Sequence, residues 1–188
     1  MERHTRLCMI LAVLMFWLVG WSRAEAQIPY VQTYFDPAWN VTERNCPDVP
    51  GALDTLYVVA HNFGAEIVSI EYLISYPGDN ISWLGDIIDE TSSVEGSSPA
   101  GIRIHFSPPA PMFEPTLVQR VLFLWNCYGG CPIAGQYLIV RPHPESNKVL
   151  GVRWPDLVGV EAVGMTSSLC ITLGVETRTW GGIKALYE

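Results

Sequence analysis

Basic residues are scarce in this chain of 188 amino acids, which has 11 Lys and Arg against 19 Asp and Glu and a formal net charge of −8. Nucleic-acid binding needs a cluster of basic side chains on one face, and this composition does not supply one. Hydrophobic residues make up 49% of the chain, which excludes a disordered acidic tail. The length suits a single domain.

Recognisable catalytic motifs are also lacking. The chain has no Gly-x-Ser-x-Gly nucleophile turn, no His-Glu-x-x-His zinc motif and no glycine-rich phosphate loop. Three candidate histidines, His61, His105 and His143, lie far apart in the sequence, and their spacing favours neither a metal site nor a catalytic base. We therefore predict a protein without enzymatic activity, cofactor or metal. A secreted hydrolase is the enzymatic alternative.

Only one long hydrophobic run is present, from Leu7 to Trp21. It follows Arg3 and Arg6, and it precedes the small residues Ala24 and Ala26. This order is typical of a secretory signal peptide over residues 1–26, cleaved after Ala26. The run of about 15 residues is shorter than the roughly 20 that a membrane-spanning helix needs. We expect a secreted, extracellular or cell-surface protein, with the periplasm as an alternative, and no membrane span after cleavage.

Removal of that segment changes the remaining composition. The mature chain, 27–188, has 162 residues, with 8 basic and 17 acidic side chains and a net charge of −9. Its four cysteines are Cys46, Cys127, Cys131 and Cys170. An even number of cysteines in a secreted chain indicates disulfides, with zinc ligation as the alternative. All three pairings are open; the Gly-Gly turn favours Cys127–Cys131, which leaves Cys46–Cys170.

Alternating apolar and polar residues predict β-strands through most of the mature chain. In Val68–Tyr76 the even positions are apolar, and in Ile102–Phe106 the polar residues Arg103 and His105 alternate with apolar ones. Proline and glycine predict loops at Thr91–Gly101 and Ser107–Pro115. Further predicted strands are Leu56–Ala60, Val121–Trp125, Tyr137–Arg141, Val149–Trp154, Val158–Val163 and Leu169–Leu173. The fold prediction is all-β: one antiparallel β-sandwich domain over 27–188.

The end of the chain has a different pattern. Trp180, Ile183 and Tyr187 recur at helical spacing, with Thr179 as an N-cap. This predicts a short C-terminal helical tail over about 176–188.

The features between Leu53 and Trp125 resemble those of a known group of domains. Asp54–Asn62, Val68–Pro77, Gly101–Phe106 and Val118–Trp125 follow one another as in secreted bacterial cohesin-like and immunoglobulin-like sandwich modules. The resemblance implies an immunoglobulin-like or cohesin-like jelly-roll fold. The segment Cys127–Cys131 and residues 149–188 have no counterpart in it. The chain also looks like uncharacterised secreted bacterial proteins, a resemblance that implies no activity.

Two kinds of candidate binding residue follow from the sequence. Asp86, Asp89 and Glu90 have carboxylates suited to calcium, although a solvated acidic loop explains them equally well. Exposed aromatic side chains stack on sugars or anchor protein partners, and Trp125 is expected in the core. The candidate aromatic binding residues are Trp83, Trp154, Trp180 and Tyr187.

These observations favour a secreted, non-enzymatic binding or cell-surface assembly module whose partner is a protein or a glycan at the cell surface. The alternatives are a carbohydrate-binding module and a subunit of an extracellular polymer. A homo-oligomer would form through an edge strand or the C-terminal tail.

Overall fold

The computed structural model describes residues 27–47, 49, 51–78, 80–127 and 135–169. The predicted signal peptide (1–26), the C-terminal tail (176–188), Cys131 and Cys170 lie outside the described residues. Within them the secondary structure is entirely β, and no helix is long and apolar enough to cross a membrane. The strands are β1 (Tyr30–Tyr34), β2 (Glu43–Arg44), β3 (Leu53–His61), β4 (Ala65–Ser75), β5 (Ile81–Ile87), β6 (Ser92–Ser97), β7 (Gly101–Met112), β8 (Thr116–Trp125), β9 (Gln136–Arg141), β10 (Val149–Arg153), β11 (Gly159–Gly164) and β12 (Thr166–Leu169).

The strands form two facing sheets. The front sheet has the order β5–β8–β3–β1, all antiparallel. The back sheet is built on β4, which pairs with β7 along one edge and with β10 and then β9 along the other. Strand β6 extends the back sheet beyond β7, while β11 and β12 extend it beyond β10 and β9. A parallel pairing of β1 with β11 joins the two sheets, so the predicted antiparallel β-sandwich is confirmed.

The core lies between the sheets. Strand β3 contributes Leu56 and Val58 from the front sheet, and β4 contributes Ile70, Tyr72 and Ile74 from the back sheet, all of them fully buried. Each pair of neighbours in these sets is two residues apart, which places their side chains on one face of each strand. The alternation seen in Val68–Tyr76 therefore predicted the inward face correctly.

A β-bulge changes the phase of the back sheet. The pairing of β4 with β7 shifts between Ile67 and Ser69, so that Ile67 and Ile70 both point into the core despite their odd spacing. On β7 the same shift leaves Phe106–Pro109 without ladder partners. Two of the prolines therefore lie where the ladder needs no N–H donor.

Two predicted loops are wrong. Ser107–Pro115 was expected to be a loop, but β7 continues to Met112 and pairs Ala110–Met112 with the start of β4. Strand β6 pairs only with Gly101–Phe106, so the far edge of this proline-containing half is open and tolerates residues without an N–H. Thr91–Gly101 was also expected to be a loop, but it contains β6, whose pairing with β7 compensates for the weak β propensity of its serines and glycine.

The favoured disulfide pairing is also wrong. Cys46 is bonded to Cys127, across 81 residues, which excludes both Cys127–Cys131 and Cys46–Cys170. Cys127 directly follows the end of β8, and the chain around Cys46 follows β2, which pairs in parallel with β12. Tertiary proximity of these two segments, which local spacing does not encode, selects the pair.

Candidate functional site

The three histidines do not converge. His61 is buried on β3, with its ring stacked on Tyr30 at 4.4 Å and its Nε2 3.1 Å from the Tyr34 hydroxyl. His105 lies on the outer face of β7, with Nε2 3.6 Å from Glu95 Oε1. His143 is buried in the turn before β10 and accepts a hydrogen bond from the N–H of Glu145, as a structural histidine does.

The acidic segment lies on β5 and just after it rather than wholly in a loop. Asp86 accepts hydrogen bonds from Trp83 Nε1 at 3.3 Å and from the N–H of Ser98 at 2.9 Å. Asp89 accepts bonds from the N–H and hydroxyl of Thr91, and these bonds lower the pKa of the Asp89 carboxyl. In the described part of the chain, no three His, Cys, Asp or Glu side chains are arranged to hold a metal ion.

Arg103 is committed to structural contacts. Its guanidinium contacts Glu71 at 2.8 Å, Glu95 at 3.1 Å and Glu145 at 3.3 Å. Burial by itself would raise the pKa of Glu71, but hydrogen bonds from Ser146 and Arg103 outweigh it and hold that pKa below its usual value. This cluster ties β4, β6 and β7 to the turn after β9, and its positive charge is already neutralised.

The two described candidate tryptophans lie far apart. Trp83 is 37% exposed on β5, and its partner Asp86 bonds to Ser98, whose carbonyl accepts the N–H of Ile74 near the end of β4. Trp154 is 49% exposed, and its N–H bonds to the carbonyl of Glu66 at the start of β4. A strand rises about 3.3 Å per residue, so these two positions belong to opposite ends of the sandwich. Trp180 and Tyr187 lie outside the described residues.

Trp154 does not stand alone at its end of the sandwich. Leu157 and Val158, in the same turn between β10 and β11, are 61% and 50% exposed. Phe113, 62% exposed, directly follows Met112, which pairs with Ala65 on the other side of β4. We call these four residues the Trp154 patch: Phe113, Trp154, Leu157 and Val158. Exposed large apolar side chains grouped in this way are a feature of interaction surfaces.

The turn that carries the patch is firmly held. The guanidinium of Arg153 forms two hydrogen bonds with the carboxylate of Asp156, and the N–H of Leu157 bonds to the carbonyl of Arg153 at 2.9 Å. Leu157 has a φ of 54°, in the left-handed region that a leucine rarely adopts. The turn therefore holds a large apolar side chain in solvent at a conformational cost. Its backbone signal, a positive φ, is not readable from Trp-Pro-Asp-Leu-Val.

One aromatic site was not among the predicted binding residues. Trp39, in the turn after β1, lines a cleft together with Tyr57 of β3 and Arg120 of β8. The sequence signal was the short run Asp-Pro-Ala-Trp-Asn, because Asp and Asn favour tight turns and a tryptophan inside one is pushed outward.

The architecture defines the class of this molecule as a jelly-roll β-sandwich. Within that class, its fold is that of cohesin modules, which confirms the resemblance seen in the sequence. A chain of a complex containing CaCohA2, from Clostridium acetobutylicum, has a TM-score of 0.52 at 11% identity over 77% of this chain and 99% of that one. Neither a sequence family nor a curated protein matches the chain.

Two further solved structures are similar to the same extent. A type I cohesin–dockerin complex from Clostridium thermocellum has a TM-score of 0.51 at 9% identity. The third cohesin of ScaC from Acetivibrio cellulolyticus, in complex with the ScaB dockerin, has a TM-score of 0.50 at 6% identity. Each covers 77% of this chain and 99% of its own. At these identities the likeness is one of fold alone.

Proposed function

We propose that this chain is a secreted, non-enzymatic module that binds a protein partner through the Trp154 patch. The observation that carries the proposal is the turn between β10 and β11, which exposes Trp154, Leu157 and Val158 together and holds Leu157 at a φ of 54°. Apolar side chains held in water at a conformational cost are explained when a partner covers them.

Energetics favour an anchoring role for the tryptophan. Binding energy in protein interfaces is concentrated in a few residues, and tryptophan is enriched among them, with losses of about 2 kcal/mol or more on truncation. Trp154 has half its surface free for such burial, and Phe113 extends the apolar area across the start of β4. The matching partner surface is apolar and presents a groove or pocket for an indole ring.

The solved neighbours support a binding role by analogy of fold. Two of them are cohesins in complexes with dockerins, so the same sandwich serves protein recognition elsewhere. Secretion is supported by the N-terminal pattern of Arg3, the apolar run and Ala24-x-Ala26, and by the Cys46–Cys127 disulfide, since disulfides persist mainly in oxidising compartments.

A differential capture experiment tests the proposal. The mature chain and its Trp154→Ser/Leu157→Ser variant are immobilised and exposed to the secreted and surface proteins of the source organism. We expect at least one protein to bind the wild-type chain and to be lost with the variant. That protein is then purified and titrated calorimetrically against both chains, with an expected affinity loss of at least about 30-fold for the variant.

The matched control is Trp83→Ser, which removes a comparably exposed tryptophan at the other end of the sandwich. It should capture the same proteins as the wild-type chain. If the Trp154→Ser/Leu157→Ser variant and the wild-type chain retain identical proteins with equal affinity, the Trp154 patch is not the binding surface.

Self-assembly is the second candidate function, and the strand order favours it. Among the described strands, β5 pairs only with β8, and β6 pairs only with β7, so each has an open edge on which a strand of another copy could pair. Light scattering tests this: assembly predicts a mass that rises with concentration and falls when Trp83→Pro blocks the β5 edge. A monomer at all concentrations, with and without residues 176–188, contradicts it.

A further inference from the structure

A second recognition site lies on the front sheet, where a cleft of about 420 Å³ opens beside the turn that follows β1. This volume is within the range of about 300–1,000 Å³ that is usual for small-molecule sites. Tyr57, Arg120 and Ile87 form one cross-strand row in its floor, since Arg120 is the register partner of both others. The lining consists of Pro37, Trp39, Tyr57, Ile87, Ile88, Asp89, Leu117, Val118, Gln119 and Arg120.

The turn that carries Trp39 is rigid. The carboxylate of Asp36 accepts hydrogen bonds from the backbone N–H groups of Ala38 at 3.2 Å, Asn40 at 2.8 Å and Val41 at 2.7 Å. Trp39 itself has a φ of 59°, a conformation that is rare for a bulky residue. Strain of this kind persists only where surrounding contacts enforce it, and it recurs at binding sites. The indole ring is thereby placed at the cleft before any ligand arrives.

The polar groups of the cleft are available for a ligand. Arg44, Arg103, Lys148 and Arg153 are all in ion pairs, whereas Arg120 is exposed and has no ion pair within the described residues. Asp89 uses only its Oδ1 atom, which Thr91 occupies, so its Oδ2 atom can still accept a hydrogen bond. The cleft therefore offers one set of fixed donors and one acceptor beside two aromatic rings.

We propose that this cleft binds a pyranose residue of a glycan. The apolar face of a sugar ring packs on an aromatic side chain, which Trp39 and Tyr57 provide, while its hydroxyls require both donors and acceptors at the ring edge. Arg120 donates to sugar oxygens and Asp89 Oδ2 accepts from a sugar hydroxyl. The site lies on the front sheet, away from the Trp154 patch, so glycan binding does not depend on the proposed protein binding.

Affinity electrophoresis tests this with defined polysaccharides: hydroxyethylcellulose, xylan and galactomannan as neutral probes, and polygalacturonate and alginate as acidic probes. We expect at least one of them to retard the wild-type chain, and we expect Trp39→Ala to weaken that binding by about tenfold or more. Arg120→Gln, an exposed change that leaves the fold intact, should weaken it too. A larger Arg120→Gln effect on acidic than on neutral probes identifies a sugar carboxylate as its partner.

Trp39→Phe and Trp154→Ala are the matched controls. The phenylalanine keeps an aromatic ring in the cleft and should retain part of the binding, and the second change removes an exposed tryptophan from the back sheet without effect on glycan binding. No retardation of the wild-type chain by any of the five probes overturns the proposal. So does equal retardation of wild type, Trp39→Ala and Arg120→Gln.

Discussion

His61 shows how burial on the front sheet sets the properties of one side chain. Its ring lies flat against Tyr30, and its Nε2 is hydrogen-bonded to the Tyr34 hydroxyl. Burial disfavours the charged imidazolium and lowers the pKa of His61 below its ordinary value of 6.5. This histidine is therefore a neutral packing residue, and its titration couples to folding.

We expect the free energy of unfolding to fall as the pH decreases below 6.5, the ordinary pKa of histidine. Above this pH both the folded and the unfolded chain carry neutral His61, so its contribution is fully present. Below it the unfolded chain binds the proton more readily, and stability is lost until the folded pKa is passed. Urea unfolding of wild type and His61→Gln between about pH 8 and pH 5 measures this. Parallel pH profiles of the two chains would contradict the assignment.

Leu157 gives a second prediction at the residue scale. Leu157→Gly should raise the free energy of unfolding by about 0.5–1 kcal/mol, because glycine adopts a positive φ without the steric cost that leucine pays. Leu53→Gly is the matched control, since Leu53 is similarly exposed (68%) but lies in a strand, and the change there should destabilise. Thermal unfolding of the three chains measures both effects. A loss of stability in Leu157→Gly would show that the side chain contributes packing.

Single elements of this sandwich depend on their neighbours more than on their own sequence. Strand β6, Ser-Ser-Val-Glu-Gly-Ser, has one large apolar residue and exists because β7 supplies a continuous ladder partner. The proline-rich half of β7 remains a strand because it lies at an edge and beside a bulge. Neither condition can be read from the segment itself, which is why both were predicted as loops.

Gly164, the last residue of β11, permits a close approach of two strands. A Cβ there would lie 2.0 Å from the carbonyl oxygen of Val140 in β9, at the corner where β11 pairs with β1. Gly164→Ala should therefore destabilise the fold by about 2–3 kcal/mol, because backbone atoms cannot move aside cheaply. Gly85→Ala, in the edge strand β5, is the matched control, since its Cβ would have no neighbour within 4 Å. Equal melting temperatures for the two variants would contradict this.

At the scale of the whole molecule, the parallel β1–β11 pairing and the Cys46–Cys127 disulfide join distant parts of the chain. The buried hydrogen bond from the Thr33 hydroxyl to the Ser167 hydroxyl, at 2.6 Å, adds a third link, between β1 and β12. All three bring the start of the mature chain into contact with later strands. The sandwich is therefore closed by its first and last described segments.

Loss of the disulfide should be costly. In the chain-entropy model, a crosslink that closes a loop of about 80 residues contributes about 4.5 kcal/mol at 25 °C. We expect Cys46→Ala/Cys127→Ala to lower the free energy of unfolding by a similar amount, measured in urea against the wild-type chain.

Mass spectrometry of unreduced proteolytic peptides checks the pairing directly. It should find Cys46 linked to Cys127, and we predict by elimination that Cys131 is linked to Cys170. A peptide linking Cys127 to Cys131 would contradict the first pairing.

Much of the architecture was predictable from particular residues. The alternation of Ile70, Tyr72 and Ile74, and the buried position of Trp125, followed from apolar periodicity, because a strand between two environments must place alternate side chains in each. The candidate site was less predictable. Trp154 was recognised as an exposed aromatic beside a turn, whereas Phe113 joins it only through the pairing of Met112 with Ala65, 47 residues earlier.

The amino-acid sequence by itself determined the all-β class, the inward faces of the long strands and the resemblance to a cohesin-like sandwich, because these follow from local periodicity and turn chemistry. Only the tertiary structure decided which cysteine pairs with Cys46, that β6 is a strand, and that Trp39 and Arg120 share a cleft. These features depend on contacts between segments that are distant in the chain. Such contacts follow from the way the whole set of strands packs around one core, which no single segment specifies.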